Sequence, residues 1–446
     1  MRFTHYNRQW LRLRPVLTAC CLLSIVHFLY GCAVNPVTGQ QELAFITEEE
    51  ELAIGRENYP VTTQINNGLF QDDSLQAYVV RVGKRVADVS HRSNLQYEFN
   101  VANTSDINAY ALPGGKISIT RGLLVRLENE DQLAGILGHE VGHVTARHAV
   151  AQISKTMLTQ AALVGLGVSL ASMDVRNREL YNLSSGLAAG LLLLRYSRDQ
   201  ESQSDHLGLE YMAKAGYNPR GLKQAMEIIK ASHEKEPSRL EALLLTHPLT
   251  SDRVEAIDGE LSRTYAEPGQ RPFKMDEFQA TTSYIKGLKD AYAYYDKGDE
   301  FMGKRRYREA EEEYRRAIAI DDKQAVFHTG LAWALLKQKA LTPARRSVDR
   351  ALELYPNLFS SRFIGGVISY ESEDYGLAFR DLRKADDLVP GVPEVKLYIA
   401  RSYEAMGDRR LAIGYYKETL RLDPQGSAGK EARRKLTMWG IIRPSK

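Results

Sequence analysis

Two histidines four residues apart, His139 and His143, form the pattern in this sequence with the clearest chemical meaning. They belong to a His-Glu-x-x-His motif inside a segment with a helical pattern. Residues four apart share one face of a helix, so both imidazoles can bind a single zinc ion. Glu140 lies beside them and can accept a proton from a water that the ion activates. The alternative is an ordinary amphipathic helix with two histidines in core contacts.

The composition of this segment predicts a helix that packs very closely against a neighbour. It begins with acidic residues and ends with basic ones, which is the order that the helix dipole favours. Each glycine in a helix interior costs about 1 kcal/mol relative to alanine, so glycines there need a reason. Three of them interrupt the segment: Gly135, Gly138 and Gly142. We therefore expect another element to approach this helix closely.

A catalytic zinc ion needs a third protein ligand and one open position for water. The best candidate is Glu201, in an acidic segment with a helical pattern. Asp205 lies one turn later, where it can accept a proton from a ligand histidine and fix its tautomer. The Glu-x-x-x-Asp spacing is a weak signal by itself, because charged helices often contain it. Beside a His-Glu-x-x-His motif it is much stronger.

The residues before the zinc helix predict a small antiparallel sheet. Tyr97–Val101 and Lys116–Thr120 alternate like half-buried strands, and a Pro-Gly-Gly turn lies between them. Such a sheet would lie over the active site, and an unpaired edge could hold an extended substrate by backbone hydrogen bonds. The residues predicted for this edge are Asn108, Ala109, Ile117 and Ile119. A purely structural hairpin is the alternative.

Four motifs follow one another in an order that resembles a known family. They are Asn108–Gly115, the His-Glu-x-x-His motif, the Glu-x-x-x-Asp motif and Thr246-His247-Pro248. Together they resemble the zinc metallopeptidases related to the CAAX prenyl protease and to HtpX, over about residues 40–265. The resemblance implies one zinc ion per chain, with Glu140 as the general base and Asp205 as a partner of a ligand. The ligands that it implies are His139, His143 and Glu201.

The same resemblance marks His247 and Arg253 as functional residues. A neutral imidazole on a loop could fill the open zinc position and keep the enzyme latent until a substrate displaces it. The alternative for His247 is a structural role before Pro248. Arg253 could stabilise an oxyanion or only pair with a carboxylate. The remaining histidines, including His148, are assigned to solvated faces or satisfied contacts.

The first residues of the chain, 1–31, predict a signal peptide of the lipoprotein type. A basic head and an apolar run precede Leu29-Tyr30-Gly31-Cys32, which resembles a bacterial lipobox. This predicts lipidation of Cys32 and an anchor in the outer membrane, facing the periplasm. A plain signal peptide and a soluble periplasmic protein are the alternatives. Cys20 and Cys21 lie within the signal, so the predicted mature chain has no pair to form a disulfide.

The second half of the chain repeats every 34 residues, which is the tetratricopeptide period. The small residues that mark the period are Ala310, Ala344, Ala378 and Ala412. Four repeats over 291–426 should stack into a solenoid with a concave peptide-binding face, or else form a spacer or dimerisation surface. The other predicted boundaries are a metallopeptidase domain at 32–267, a linker at 268–290 and a C-terminal tail at 427–446.

These patterns predict a mainly α protein: a gluzincin-like helical metallopeptidase domain with one small antiparallel sheet, followed by an α-solenoid. The net charge of +3 gives no reason to expect nucleic acid as a partner, and no apolar run predicts a spanning helix. An exported peptidase followed by four repeats is similar to the beta-barrel assembly-enhancing proteases of the Gram-negative periplasm. That similarity implies unfolded or stalled envelope proteins as substrates, and the barrel assembly machinery as a partner of the repeats. The rival function is a non-proteolytic chaperone or adaptor with an idle or structural zinc site.

Overall fold

The first half of the chain is a set of helices around a small sheet. The computed structural model describes residues 32–165, 184–235, 237–239, 241–267 and 270–443, so the predicted signal peptide lies outside the described residues. The elements up to the start of the repeats are β1 (Cys32–Val34), β2 (Gln41–Leu43), α1 (Glu48–Ile65), α2 (Asp73–Ala87), β3 (Glu98–Ala102), β4 (Ala109–Leu112), β5 (Lys116–Thr120), α3 (Arg121–Leu124), α4 (Glu130–Thr145), α5 (His148–Gly165), α6 (Ser184–Leu191), α7 (Arg198–Lys214), α8 (Arg220–Lys235), α9 (Glu241–Thr246), α10 (Ser251–Arg263) and α11 (Asp276–Gly287).

The three-stranded sheet is mixed, with the strand order β3-β5-β4. β4, which the sequence pattern did not predict as a strand, forms an antiparallel hairpin with β5, and Gly114 and Gly115 supply the left-handed backbone of its turn. β3 runs parallel to β5, so the prediction of a wholly antiparallel sheet is wrong for this pair. The chain leaves β3, forms β4 and returns through the hairpin, which inserts β5 between the two. A separate two-stranded ribbon joins β1 to β2.

This strand order corrects the predicted substrate edge. Ile117 and Ile119 lie on β5, the central strand, which is hydrogen-bonded to β3 on one side and to β4 on the other. Neither side chain is exposed. They belong to the hydrophobic core, and their assignment to an open edge is wrong. β3 and β4 are the two edge strands, and of the predicted residues only Ala109, within β4, and Asn108, just before it, lie at an edge.

The helix that carries the His-Glu-x-x-His motif, α4, is buried on every side. The Asn129 side chain begins it by accepting a hydrogen bond from the amide of Gln132. α7 packs so tightly against α4 that a β-carbon at Gly142 would lie 3.0 Å from the Cα of Ser204. The close neighbour that the glycines predict is therefore present, and this contact brings Glu201 of α7 to the face that carries His139 and His143.

Four helix pairs and a final helix form the second half of the chain. They are α12 (Lys289–Gly303), α13 (Tyr307–Ile320), α14 (Ala325–Lys337), α15 (Leu341–Leu354), α16 (Phe359–Glu371), α17 (Tyr375–Leu388), α18 (Pro393–Ala405), α19 (Arg409–Leu422) and α20 (Ser427–Met438). The four periodic alanines are fully buried where the two helices of a pair meet. The predicted C-terminal tail mostly consists of α20, whose Ala428, Ala432 and Leu436 pack on α19 and cover the open end of the array.

The two halves share one core and are not separated by a free linker. The predicted linker contains α11, and its buried Phe278 lies with its ring 6.3 Å from that of Tyr78. Phe327 of the second repeat belongs to the same hydrophobic cluster as buried residues of the first half of the chain. The description of 268–290 as a linker therefore needs correcting, because half of this segment packs into the core.

Hydrogen bonds add to this junction. The Tyr292 hydroxyl donates to Asn103 Oδ1 at 2.9 Å, and the amide of Phe359 donates to Gln64 Oε1 at 2.9 Å. The hydroxyl of Tyr355 accepts from a backbone amide that follows α1. These contacts place the first three repeats directly against the first half of the chain. Within the described ranges, no helix is both long and apolar enough to cross a bilayer.

Candidate metal centre

Four buried side chains converge at the centre of the first half: His139, His143, Glu201 and His247. Each offers one donor atom, and these atoms all lie within 4.8 Å of one another. α4 supplies the first two, α7 supplies Glu201, and His247 follows directly after α9. The structure thus brings together the residues that the sequence nominates as three ligands and a possible fourth.

The distances among the first three donors suit a small metal ion. The Nε2 atoms of His139 and His143 are 3.1 Å apart, and the Glu201 carboxylate oxygens lie 3.6 Å and 3.4 Å from them. A tetrahedral zinc site with bonds of about 2.0–2.1 Å places its donors about 3.3 Å apart. Burial lowers the pKa of His143 well below its usual value and keeps the ring in the neutral form that binds metals. Two imidazoles and a carboxylate suit zinc, although other first-row metals bind such donors too.

Glu140 lies beside this donor set and has a different environment. Its side chain is buried, and its Oε2 atom has no hydrogen-bond partner among the described residues. Burial raises the pKa of Glu140 above that of an ordinary glutamate. Together with His139 and Ala109, Glu140 lines a cavity whose other walls are mainly aliphatic. A carboxylate with a raised pKa at the wall of a cavity is placed to exchange protons with a bound substrate.

Arg253 pairs with two of the acidic residues of α7, Glu201 and Asp205. Its guanidinium donates two hydrogen bonds of 2.8 Å to the carboxylate of Asp205 and lies 2.6 Å from Glu201 Oε2. Asp205 Oδ1 in turn lies 2.9 Å from Nδ1 of His139. Of the two roles left open for Arg253, the structure shows the pairing with carboxylates. Asp205 occupies the position expected of a residue that orients a ligand histidine.

His148 contacts the donor set, although the sequence assigned it no role there. Its Nδ1 lies 2.9 Å from Nδ1 of His143, and its Nε2 lies 2.9 Å from Gln203 Oε1. Burial lowers the pKa of His148 to about 4, so the ring is neutral at ordinary pH. Arg147, in the left-handed backbone conformation with φ 56°, turns the chain back between α4 and α5 and makes this contact possible. The sequence signal was a third histidine five residues after His143, a spacing that does not share the face of a continuous helix.

Tyr196 is a second neighbour that the sequence did not indicate. Its ring stacks on that of His143 with 4.0 Å between centroids, and it lies 5.3 Å from the ring of His247. The residue precedes α7, whose first turn is capped by Ser197. Nothing in the residue types around Tyr196 predicts this contact, because it depends on how the segment before α7 crosses α4.

His247 lies inside the site and not on an exposed loop. Its Nδ1 is 2.9 Å from Glu201 Oε1, and its Nε2 is 4.0 Å from Glu140 Oε1. Burial lowers the pKa of His247, but the carboxylates of Glu201 and Glu140 outweigh that effect and raise it overall. The imidazole thus lies between Glu201 of the donor set and the candidate base, Glu140.

The remaining predicted site residues have different surroundings. Asn108 and Ala109 are buried at the start of the edge strand, and Ala109 reaches the cavity beside Glu140. The other side of β4 is covered by a hydrophobic cluster that includes Leu112 and Leu191. The backbone of Cys32 begins β1, and its side chain lies outside the described part of the chain.

Comparison with known proteins agrees with this geometry. Residues 73–261 match the family described as Peptidase family M48, and residues 295–359 match the tetratricopeptide repeat. Over 181 residues the chain is 35% identical to the mitochondrial metalloendopeptidase OMA1 of Schizosaccharomyces pombe. The aligned region covers 41% of this chain and 51% of that protein. It is 28% identical over 250 residues to the putative beta-barrel assembly-enhancing protease of Vibrio cholerae. This alignment covers 54% of this chain and 51% of that protein. The chain spans about half the length of these curated relatives.

The fold, the buried donor set and these matches define a metallopeptidase domain joined to helical repeats. Residues 73–261 form a domain of Peptidase family M48, and tetratricopeptide repeats follow it. The predicted family and the mainly α fold class are thereby confirmed.

Proposed function

We propose that this protein is an exported, zinc-dependent endopeptidase that acts on misassembled outer-membrane or other envelope proteins. The observation that carries the catalytic part is the convergence of His139, His143 and Glu201 beside the buried carboxylate of Glu140. Support for the substrate class comes from relatives named as beta-barrel assembly-enhancing proteases. We assign one zinc ion per chain to this site, with the first three residues as its ligands.

The residues of the site divide the chemistry between them. A zinc ion held there would polarise the scissile carbonyl and make a nearby water more acidic. Glu140 takes a proton from the attacking water and passes it to the leaving amine. Its raised pKa suits this exchange, because a stronger base accepts the proton more readily. Asp205 and His148 bind the Nδ1 atoms of the two ligand histidines, which leaves both Nε2 atoms facing the metal position.

We further propose that His247 keeps the enzyme latent. Its imidazole lies within reach of the donor set and beside Glu140, so it would occupy the position that water and substrate need. Displacement of the segment that carries it would open the site. A structural role for the same histidine, as a buried residue before Pro248, is the competing interpretation.

The repeats and the N-terminal segment suggest where the enzyme works. We assign the repeats to binding envelope substrates, and possible contact with the barrel assembly machinery is part of this proposal. We place the protein in the periplasm, attached to the outer membrane through a lipid on Cys32, with a soluble periplasmic form as the alternative. Labelling with a radioactive fatty acid tests the anchor: the wild type should be labelled and Cys32→Ser should not. An unlabelled wild type would exclude lipidation.

Casein cleavage by the wild type and by Glu140→Gln tests the peptidase activity. The variant should retain zinc and lose cleavage by a factor of about 1,000 or more, because the amide cannot act as a base. Glu57→Gln changes an exposed glutamate on α1 and should behave like the wild type. Near-normal cleavage by Glu140→Gln would contradict the mechanism. Absence of cleavage by the wild type and by His247→Ala, with zinc bound in both, would favour the non-proteolytic chaperone or adaptor.

A further inference from the structure

A cavity of about 250 Å³ lies between the repeats and the end of α1. Residues of α12, α14 and α16, the first helices of the first three repeats, form most of its wall. The peptidase half contributes Asn67, which directly follows the capping residue of α1. The cavity therefore lies within the repeat array, at its contact with the first half of the chain, and outside the metal centre.

The wall of this cavity contains a carboxylate without a cationic partner. Among the described residues, Asp299 of α12 makes no ion pair, whereas its neighbour Glu300 pairs with Lys304. The hydroxyl of Tyr314 donates to Asp299 Oδ1 at 2.5 Å. Asp299 is nonetheless exposed to solvent, so its carboxylate remains accessible from the cavity. An accessible carboxylate held by a phenol donor is an acceptor for a further hydrogen bond from a cation.

Aromatic rings surround this carboxylate. Tyr295 and Tyr314 lie with their ring centroids 5.7 Å apart, and Trp333 of α14 lines the same cavity. Aromatic faces attract ammonium and guanidinium groups, and tryptophan does so most strongly. The chain already uses Trp333 in this way, because Lys337 Nζ lies 4.1 Å from its ring centroid. The cavity thus combines a negative charge with rings that stabilise a positive one.

We propose that this cavity binds a lysine or arginine side chain of an extended polypeptide. The acid and the rings provide recognition of the cationic head, while Met302 and Val326 can contact its aliphatic stem. The volume admits one side chain and excludes a folded surface. A polypeptide is the occupant because the site is formed by successive repeat helices, which present an elongated surface for peptides. This inference goes beyond the proposed peptidase activity and does not depend on it.

Binding of two matched peptides tests the proposal. The probe is a fluorescein-labelled nonapeptide of glycine and serine with one central lysine. The control peptide is identical except that norleucine replaces this lysine. The full chain with Glu140→Gln is used, so that neither peptide is cleaved. Fluorescence anisotropy should show about tenfold tighter binding of the lysine peptide, because norleucine keeps the aliphatic chain without the charge. Asp299→Asn should abolish this preference, and Glu300→Gln, which removes the adjacent exposed charge, should keep it.

Two further results separate recognition from a purely structural role of Asp299. Tyr314→Phe removes one hydrogen bond to the carboxylate but leaves its charge, and it should retain most of the preference. The melting temperature of Asp299→Asn should remain close to that of the parent, which shows that the array is intact. Equal binding of the lysine and norleucine peptides by the parent protein would overturn the proposal. A preference that persists in a folded Asp299→Asn variant would overturn it as well.

Discussion

The metal centre and the repeat array are built in opposite ways. At the metal centre, side chains from α4, α7 and the residue after α9 meet at one point, and each has its own partner. In the array, each helix packs mainly on its neighbours in sequence, with small buried residues every 34 positions. A change at the centre therefore alters relations between distant segments, whereas a change in the array remains local.

Replacing a proposed ligand should remove the metal and the activity together. We expect His143→Ala to lose zinc and to lower casein cleavage by a factor of more than about 1,000, because only two of the three proposed ligands remain and His247 cannot replace the third while also leaving a position open for water. Metal analysis of the purified protein and a cleavage assay measure the two effects. His206→Ala, which changes an exposed histidine of α7, is the control. Full zinc content in His143→Ala would show that the metal binds elsewhere.

A buried histidine beside the site should matter differently from a buried histidine in the array. We expect His148→Ala to weaken zinc binding by about 10–100-fold, because His143 loses the partner that orients it. His328→Ala should leave zinc affinity unchanged, since its ring contacts the backbone carbonyl of Asp322 in the second repeat. Competition with a chromogenic chelator measures both affinities. Equal affinity in the two variants would mean that His148 has only a packing role.

Removal of His247 distinguishes a latent enzyme from an open one. If its imidazole blocks the site, His247→Ala should raise self-cleavage and casein turnover several-fold while zinc remains bound, because three ligands are still present. If His247 supports the transition state or the fold, both rates should fall instead. The two interpretations thus predict opposite signs for one variant. A decrease in both rates at full zinc occupancy would exclude the proposed latency.

A pair of glycine substitutions gives the smallest expected effects. Gly142→Ala would place a methyl group 3.0 Å from the backbone of Ser204, so we expect about 1–3 kcal/mol lower stability and weaker zinc binding as α7 shifts. Gly414→Ala, in α19 of the array, would meet no atom within 4 Å, so we expect unchanged stability or a gain of up to about 1 kcal/mol, with zinc binding unchanged. Urea unfolding and zinc titration measure the effects. Equal zinc affinity in both variants would contradict a tight coupling of α4 and α7.

The sequence predicts best what is encoded by local spacing. His139 and His143 share a helix face whatever surrounds them, and the 34-residue period sets the repeats almost independently of the rest. Arg253 could be nominated but not assigned, because its role depends on where α10 meets α7. His148 was missed because the left-handed residue before it reverses the chain. The sequence also could not predict that β3 runs parallel to β5 or that Ile117 lies on the central strand, since strand order depends on contacts between distant residues.

The junction between the repeats and the first half of the chain also fixes the distance between two sites. Tyr292, Tyr355 and Phe359 tie the repeats to the peptidase half at separate points, so the cavity around Asp299 and the metal centre hold a fixed separation. A chain anchored by a basic residue in that cavity would then present only residues a set number of positions away to Glu140. Moving the lysine by three residues along a long substrate should move the cut by three residues, which mapping of the fragments by mass spectrometry would reveal. The fold would thereby set the number of residues between the anchored basic residue and the cleaved bond.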